Sequence, residues 1–122
     1  ILLDAPCSGS GTILLNEPAS YRAFSEKLVR NSAATQLALL KKALTILKRG
    51  GTMVYSTCSI LNTENENVVR AALKGAHAQV EPIILPGMET LPLLPCALEG
   101  ALCVRPTAQY EGFFVARIRK DS

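Results

Sequence analysis

The chain has 122 residues, 48% of them hydrophobic and 19% charged. That length favours one domain, or part of one, and the composition is too apolar for disorder yet sufficient to line a packed core. No uncharged apolar run approaches the ~18 residues needed to span a bilayer, which argues against a transmembrane protein, and a net charge of +3 is only a mild pull towards an anionic partner.

Ile1-Leu2-Leu3-Asp4 reads as a strand ending in an acid. It has no initiator Met and no basic flank before a cleavable segment, so it is expected to be a strand in progress within a longer protein. Ala5 to Thr12 is a loop of small residues. Asn16-Glu17-Pro18 predicts a short helix with Pro in its first turn, where a missing N–H costs nothing, and Tyr21 and Phe24 fall three apart on it. Leu37, Leu40, Leu44 and Leu47 form one apolar stripe, which predicts a helix from about Ser32 to Lys48. Lys41 and Lys42 fall largely outside that stripe, while Lys48 and Arg49 suit the negative end of the helix dipole before Gly50-Gly51 stops it.

Thr52 to Ser56 is β-branched and aromatic, a compact strand. Thr63 and Glu66 have capping-box spacing and predict a second helix, with Glu64 favoured near its positive end and Val68, Val69, Ala72 and Leu73 buried. Val80 to Leu85 is a further strand, which Pro82 pushes towards an edge. Pro86 to Gly100 reads as a long loop. Leu102–Arg105 and Phe113–Arg119 predict a terminal antiparallel hairpin.

This alternation belongs to the α/β class with a mostly parallel sheet, in which ligands sit beyond the carboxyl ends of the strands. Cys7 and Cys58 each follow a strand, so they are expected to face one cleft with Asp4 at its wall. A lone cysteine there is ordinarily a small buried hydrophobe. Asp4 alone is ordinarily a loop acid, and Gly9-Ser10-Gly11 has neither the Lys of a phosphate loop nor dinucleotide-loop spacing. Their combination is what points to a site. Cys7, Cys58, Cys96 and Cys103 show no C-x-x-C spacing and His77 is the single histidine, so no zinc set is expected. Two disulfides are open on count, but four cysteines beside a real core read as a reduced, intracellular protein.

The segments DAPCSGSG (Asp4 to Gly11) and VYSTCS (Val54 to Ser59) resemble the two signature motifs of the Sun-domain family, RNA (cytosine-5) methyltransferases that use S-adenosylmethionine. The resemblance extends to Gln36-Leu37, Leu40, Gly50-Gly51, Glu64-Asn65-Glu66 and Glu111-Gly112-Phe113-Phe114, and so covers almost the whole chain. It implies the C-terminal half of a Rossmann-like class I methyltransferase fold, with residues 1–122 as the C-terminal part of the catalytic domain. It also implies that a thiolate of Cys58 adds to carbon 6 of cytosine, so that carbon 5 becomes nucleophilic enough to take the methyl group. The cationic sulfonium and the nearby helix start would favour that thiolate. Cys7 is assigned to product release. Asp4 is assigned to the ring nitrogen and amino group of the base and, with Pro6, to the cofactor pocket. Pro6 would also fix the loop and turn backbone carbonyls towards the base.

The family's glycine-rich loop and the acids that cradle the cofactor's adenosine and methionine are not in this sequence, nor are its separate RNA-binding segments. A polypeptide limited to these residues is therefore expected to transfer no methyl group, and to self-associate through the Ile1–Asp4 edge. Thr12 to Glu17 carries no basic residue, unlike several family members. The remaining basic candidates are Arg22, Lys27, Arg30, Arg105, Arg117, Arg119 and Lys120, for which a solvated surface is the ordinary role. Arg105, near the cleft, is the one expected to meet substrate. That substrate is expected to be single-stranded RNA or a flipped cytosine. The compact motif spacing resembles bacterial members, which implies ribosomal RNA and a cytoplasmic protein. Two alternatives stand beside this reading. A DNA cytosine-5 methyltransferase would use Cys7 of Pro6-Cys7 as nucleophile, and the second cysteine motif argues against it. A non-catalytic RNA-binding or scaffold module is disfavoured by the retention of Asp4, Cys7 and Cys58.

Overall fold

A computed structural model describes residues 1–122. Its elements follow in the order β1 (Leu2–Asp4), α1 (Glu26–Ile46), β2 (Thr52–Thr57), α2 (Glu66–Leu73), β3 (Ala78–Glu81), β4 (Leu93–Leu94), β5 (Leu102–Val104) and β6 (Phe113–Lys120). Helix α1 begins earlier than its leucine stripe suggests, because Ser25 Oγ accepts the Leu28 N–H at 3.1 Å and Glu26 sits at the positive end. Leu40, Leu44 and Leu47 are buried and Leu37 packs against them, so the stripe faces the core as its spacing requires. The helix ends at Ile46, which leaves Lys48 and Arg49 beyond its last turn. Its final carbonyls are met instead by Lys120 Nζ, which donates to Leu44 O at 2.7 Å and Leu47 O at 3.0 Å.

The sheet runs β1-β2-β6-β5-β4, with β3 also paired to β6. The α/β class and the β5–β6 antiparallel hairpin are both present, but the sheet is mixed rather than mostly parallel. Only β1 and β2 pair in parallel, with Leu2 opposite Val54 and Asp4 opposite Ser56. Strand β6 pairs antiparallel with β2, β3 and β5. Strands β1, β2, β3 and β5 therefore share one direction, and the reversed β6 takes the hydrogen bonds of β2, β3 and β5. The carboxyl ends of β1, β2 and β5 consequently lie on one edge of the sheet. On its other side β1 has no partner strand in these residues, and Leu2 is 73% exposed.

Pro18–Ser20 is a single 3-10 turn, and Tyr21 and Phe24 lie past it. Strand β3 stops at Glu81, before Pro82. The long segment after it holds a 3-10 turn at Met88–Thr90 and the two-residue β4, which pairs with β5. Helix α2 starts at Glu66 behind Asn65, so the capping box is not formed. Thr63 is exposed in the turn above the helix. The Glu66 carboxylate accepts from Ala97 N–H at 3.3 Å and ties down the long segment instead. Tertiary partners win over local capping here because Glu64 and Asn65 turn inward. Tyr55 and Phe114 meet edge-to-face, with centroids 6.2 Å apart, at the centre of the core. No helix is long and apolar enough to cross a membrane.

Candidate active site

Strands β1 and β2 are adjacent and parallel, so the loops that leave their carboxyl ends start side by side. Asp4 closes β1 opposite Ser56, whose hydroxyl donates to Asp4 Oδ1 at 2.9 Å, while Ala5 N–H donates to Ser56 O at 2.8 Å. Three residues further on, Cys7 Sγ lies 3.0 Å from Cys58 Sγ. All four cysteines are free thiols. Cys7, Cys58 and Asp4 thus share one edge of the sheet, but the two thiols touch directly rather than face one another across a cleft.

Both thiols are half-buried. Burial, and after it the hydrogen bond to Cys58, push the Cys7 thiol from its ordinary 9.0 up to about 12. The Gly9 N–H, 3.4 Å from Cys7 Sγ, opposes this only in part. Cys7 therefore keeps its proton at neutral pH, with that proton within reach of Cys58 Sγ. Burial likewise pushes Cys103 up to about 11 and raises Cys96. A shift from 9.0 to about 12 lowers the Cys7 thiolate fraction at pH 8 by about a thousandfold. A more basic thiolate is intrinsically more nucleophilic, which returns part of that loss. Iodoacetamide at pH 8 is accordingly expected to modify Cys7 one to two orders of magnitude more slowly than a free cysteine, gaining speed as pH rises towards 12. Peptide mapping after timed alkylation measures this.

The other predicted residues sit on the same edge with different surroundings. Asp4 and Pro6 are exposed. The Ser56 hydroxyl is the only hydrogen-bond donor to the Asp4 side chain, so one carboxylate oxygen is open to a ligand. An exposed anion at the carboxyl end of a strand fits a cationic sulfonium or a base amino group. The Pro6 carbonyl already accepts from Gln36 Nε2 at 2.8 Å, which leaves its second lone pair for a substrate. Arg105 follows β5 and is exposed on this edge, two strands from Cys58, with its backbone N–H bonded to Pro92 O at 2.7 Å. Arg117 and Arg119 instead pair with Glu81, at 2.9 and 3.7 Å. Arg30 lies 3.8 Å from Glu26.

The loops are held by residues whose site role local sequence did not reveal. Thr57 Oγ1 donates to Asn65 Oδ1 at 2.6 Å, Asn65 Nδ2 donates to Ser59 O at 2.8 Å, and Ser59 N–H returns to Thr57 Oγ1 at 3.1 Å. That ring brackets Cys58. Gly11 N–H donates to Cys58 O at 2.9 Å, and Gly112 N–H donates to Gly11 O at 2.7 Å. Glu64, placed by its sequence position near the positive end of a helix, is fully buried beneath both cysteine loops. A carboxylate in the turn after the second motif was the available signal, but no local rule separates it from an exposed first-turn acid.

Comparison with known proteins gives a consistent set of relatives. A family model described as 16S rRNA methyltransferase RsmB/F matches residues 1–119. Ribosomal RNA small subunit methyltransferase F of Cronobacter sakazakii is 43% identical over 125 aligned residues, covering 100% of this chain and 25% of that protein. The protein of the same name from Shewanella piezotolerans is 41% identical, covering 100% of this chain and 26% of its own length. The chain thus spans about a quarter of the length of the curated relatives it matches. Among solved structures, NSun6 from Pyrococcus horikoshii with SFG superposes with a TM-score of 0.81 at 29% identity, over 100% of this chain and 30% of that one. A methyltransferase homolog protein from the same organism gives 0.75 at 35% identity, over 98% and 38%.

Proposed function

The chain belongs to the 16S rRNA methyltransferase RsmB/F family, and from that premise we propose that it forms the C-terminal, catalytic part of an S-adenosylmethionine-dependent RNA (cytosine-5) methyltransferase domain, with ribosomal RNA as substrate. The observation that carries the reading is the pair of thiols 3.0 Å apart beyond two adjacent parallel strands, with the Asp4 carboxylate on the same edge. Methyl transfer to a heteroatom of a base needs no nucleophile on the protein. Transfer to carbon 5 of cytosine needs a thiolate at carbon 6, and release needs help from a second group.

In this reading Cys58 bonds to carbon 6 and Asp4 stabilises the charge that develops at the ring nitrogen and amino group. Pro6 offers its free carbonyl lone pair to the amino group, and Arg105 contacts RNA phosphate at the rim. S-adenosylmethionine, when bound, supplies an electrophilic methyl group on a cationic sulfonium, for which Asp4 and Pro6 are the candidate contacts in this chain. While Cys58 is free, the Cys7 S–H is placed to donate to its sulfur and to stabilise the negative charge that sulfur must carry to attack. Once Cys58 is bonded to carbon, that hydrogen bond and charge are gone, and two of the causes that hold the proton on Cys7 go with them. Cys7 is then better able to act in product release. The ribosomal RNA named in the relatives supports RNA over DNA as the substrate.

The test is bisulfite sequencing of small-subunit ribosomal RNA from cells with and without the gene. We expect one protected cytosine that becomes convertible when the gene is removed and is restored by the full-length protein. Identical conversion at every cytosine in both strains would overturn the substrate assignment.

A further inference from the structure

We propose that Glu64 is a positioning residue whose buried carboxylate sets the separation of the two cysteine thiols. The proposal rests on the reading that Cys7 and Cys58 carry the chemistry. The Glu64 side chain is fully buried and accepts four hydrogen bonds from three parts of the chain. Oε1 takes the hydroxyls of Ser8 at 2.5 Å and Ser59 at 2.8 Å. Oε2 takes the Ser8 backbone N–H at 2.7 Å and Gln36 Nε2 at 3.2 Å. Ser8 is the residue after Cys7, and Ser59 is the residue after Cys58. One carboxylate therefore grips the two cysteine loops at the same point in each.

Gln36 extends the grip to the other side of Cys7, since its amide nitrogen also donates to Pro6 O at 2.8 Å. Its own oxygen is buried with no partner. Leucine or methionine would fill that volume without an orphaned acceptor, so what the amide adds is its two donors, one to Pro6 and one to Glu64. The hydroxyl network shares one direction. Ser59 commits its proton to Glu64, so Ser10 donates to Ser59 at 3.0 Å, and Ser10 in turn accepts Ile60 N–H at 3.0 Å. Every donor around Glu64 meets an acceptor because an ionised carboxylate offers about four acceptor positions and no donor. Glutamine has the same size and the wrong polarity, because its NH2 would face donors already in place. Aspartate keeps the polarity and is one methylene short.

The variants Glu64→Gln, Glu64→Asp and Ser8→Ala in the full-length protein separate positioning from mere core packing. Thiol separation is read directly by diamide, which takes two protons and two electrons from Cys7 and Cys58 and leaves a disulfide, quantified as the linked peptides by mass spectrometry. Glu64→Gln is expected to close that disulfide more than tenfold more slowly. It is also expected to lower kcat for methyl transfer about a hundredfold, with KM for RNA within twofold. Glu64→Asp should recover part of both. Should Glu64→Gln fail to fold, Ser8→Ala removes one hydroxyl from a half-buried loop and carries the test, with a slowing of both rates of about tenfold expected. A folded Glu64→Gln, or Ser8→Ala in its place, that keeps both rates within twofold of the parent would overturn the proposal. The diamide readout needs neither RNA nor cofactor. Slower closure in the variants of a parent protein that itself methylates no RNA would thus refute the proposed function and leave the positioning role standing.

Discussion

Replacing Cys58 with alanine is expected to reduce methyl transfer at least about a thousandfold and to abolish the covalent protein–RNA adduct, whereas Cys7→Ala is expected to keep the adduct and let it accumulate. The asymmetry follows from where the proton sits. Burial and the contact with Cys58 hold the proton on Cys7, so at neutral pH Cys7 is a poor candidate for the first attack. Its sulfur lies 3.0 Å from Cys58 Sγ, within reach of whatever bond that sulfur forms. Removing Cys58 removes the carbon–sulfur bond on which the activation of carbon 5 depends. Removing Cys7 leaves that bond able to form and takes away the group placed to help break it. Denaturing gels of each variant with labelled RNA read the outcome. An adduct that survives Cys58→Ala and is lost in Cys7→Ala would give the nucleophile to Cys7, the arrangement of the DNA cytosine-5 alternative.

Gly11→Ala is expected to lower kcat about a hundredfold while costing only about 1–3 kcal/mol of stability. A Cβ on Gly11 would lie 2.4 Å from Gly112 O and 2.7 Å from Cys58 O, contacts with backbone that no rotamer change relieves. The same residue donates to Cys58 O and accepts from Gly112, so relief must move the Cys58 carbonyl or the start of β6. Gly75→Ala is the matched control. Its backbone has φ +74° and a Cβ there meets nothing within 4 Å, so its cost of about 1–2 kcal/mol is conformational and remote from the thiols. Paired thermal melts and turnover rates decide the matter. Equal stability losses with equal activity would show that the close approach at Gly11 serves folding alone.

What could be read from residues alone divides along physical lines. The β1–α1–β2 unit and its two cysteines were legible because each signal is local. A short apolar run ends in an acid, a leucine stripe has helical spacing, and a β-branched strand runs into a cysteine. Adjacency of the strands follows from the crossover rule, and the thiol contact follows from adjacency. The place of β6 was not legible. Phe113–Lys120 carries the alternation of a strand, but nothing in it says that it pairs with both β2 and β3 and so makes the sheet mixed.

Glu64 shows the same limit more sharply. Thr63 and Glu66 satisfy a capping box and Glu64 suits a helix start, so every local rule agrees on an exposed turn. Burial of that carboxylate is tolerable only with compensating donors, and those come from Ser8, Gln36 and Ser59, of which the first two lie 56 and 28 residues away. Long-range compensation of this kind leaves no trace in spacing. Helix α1 is an intermediate case, where the leucine stripe marks the core-facing part of the helix and the start at Ser25–Glu26 lies outside that stripe.

The division of labour between the two thiols is most directly measured by mapping the peptide that becomes linked to RNA carrying 5-fluorocytosine. Fluorine at carbon 5 replaces the proton that must leave, so the adduct is held after methyl transfer. With the full-length protein and S-adenosylmethionine, the base is expected on Cys58, with Cys7 unlinked and recovered as a free thiol. A base carried by Cys7, or complete methylation of normal RNA with no linked peptide from fluorinated RNA, would contradict the assignment.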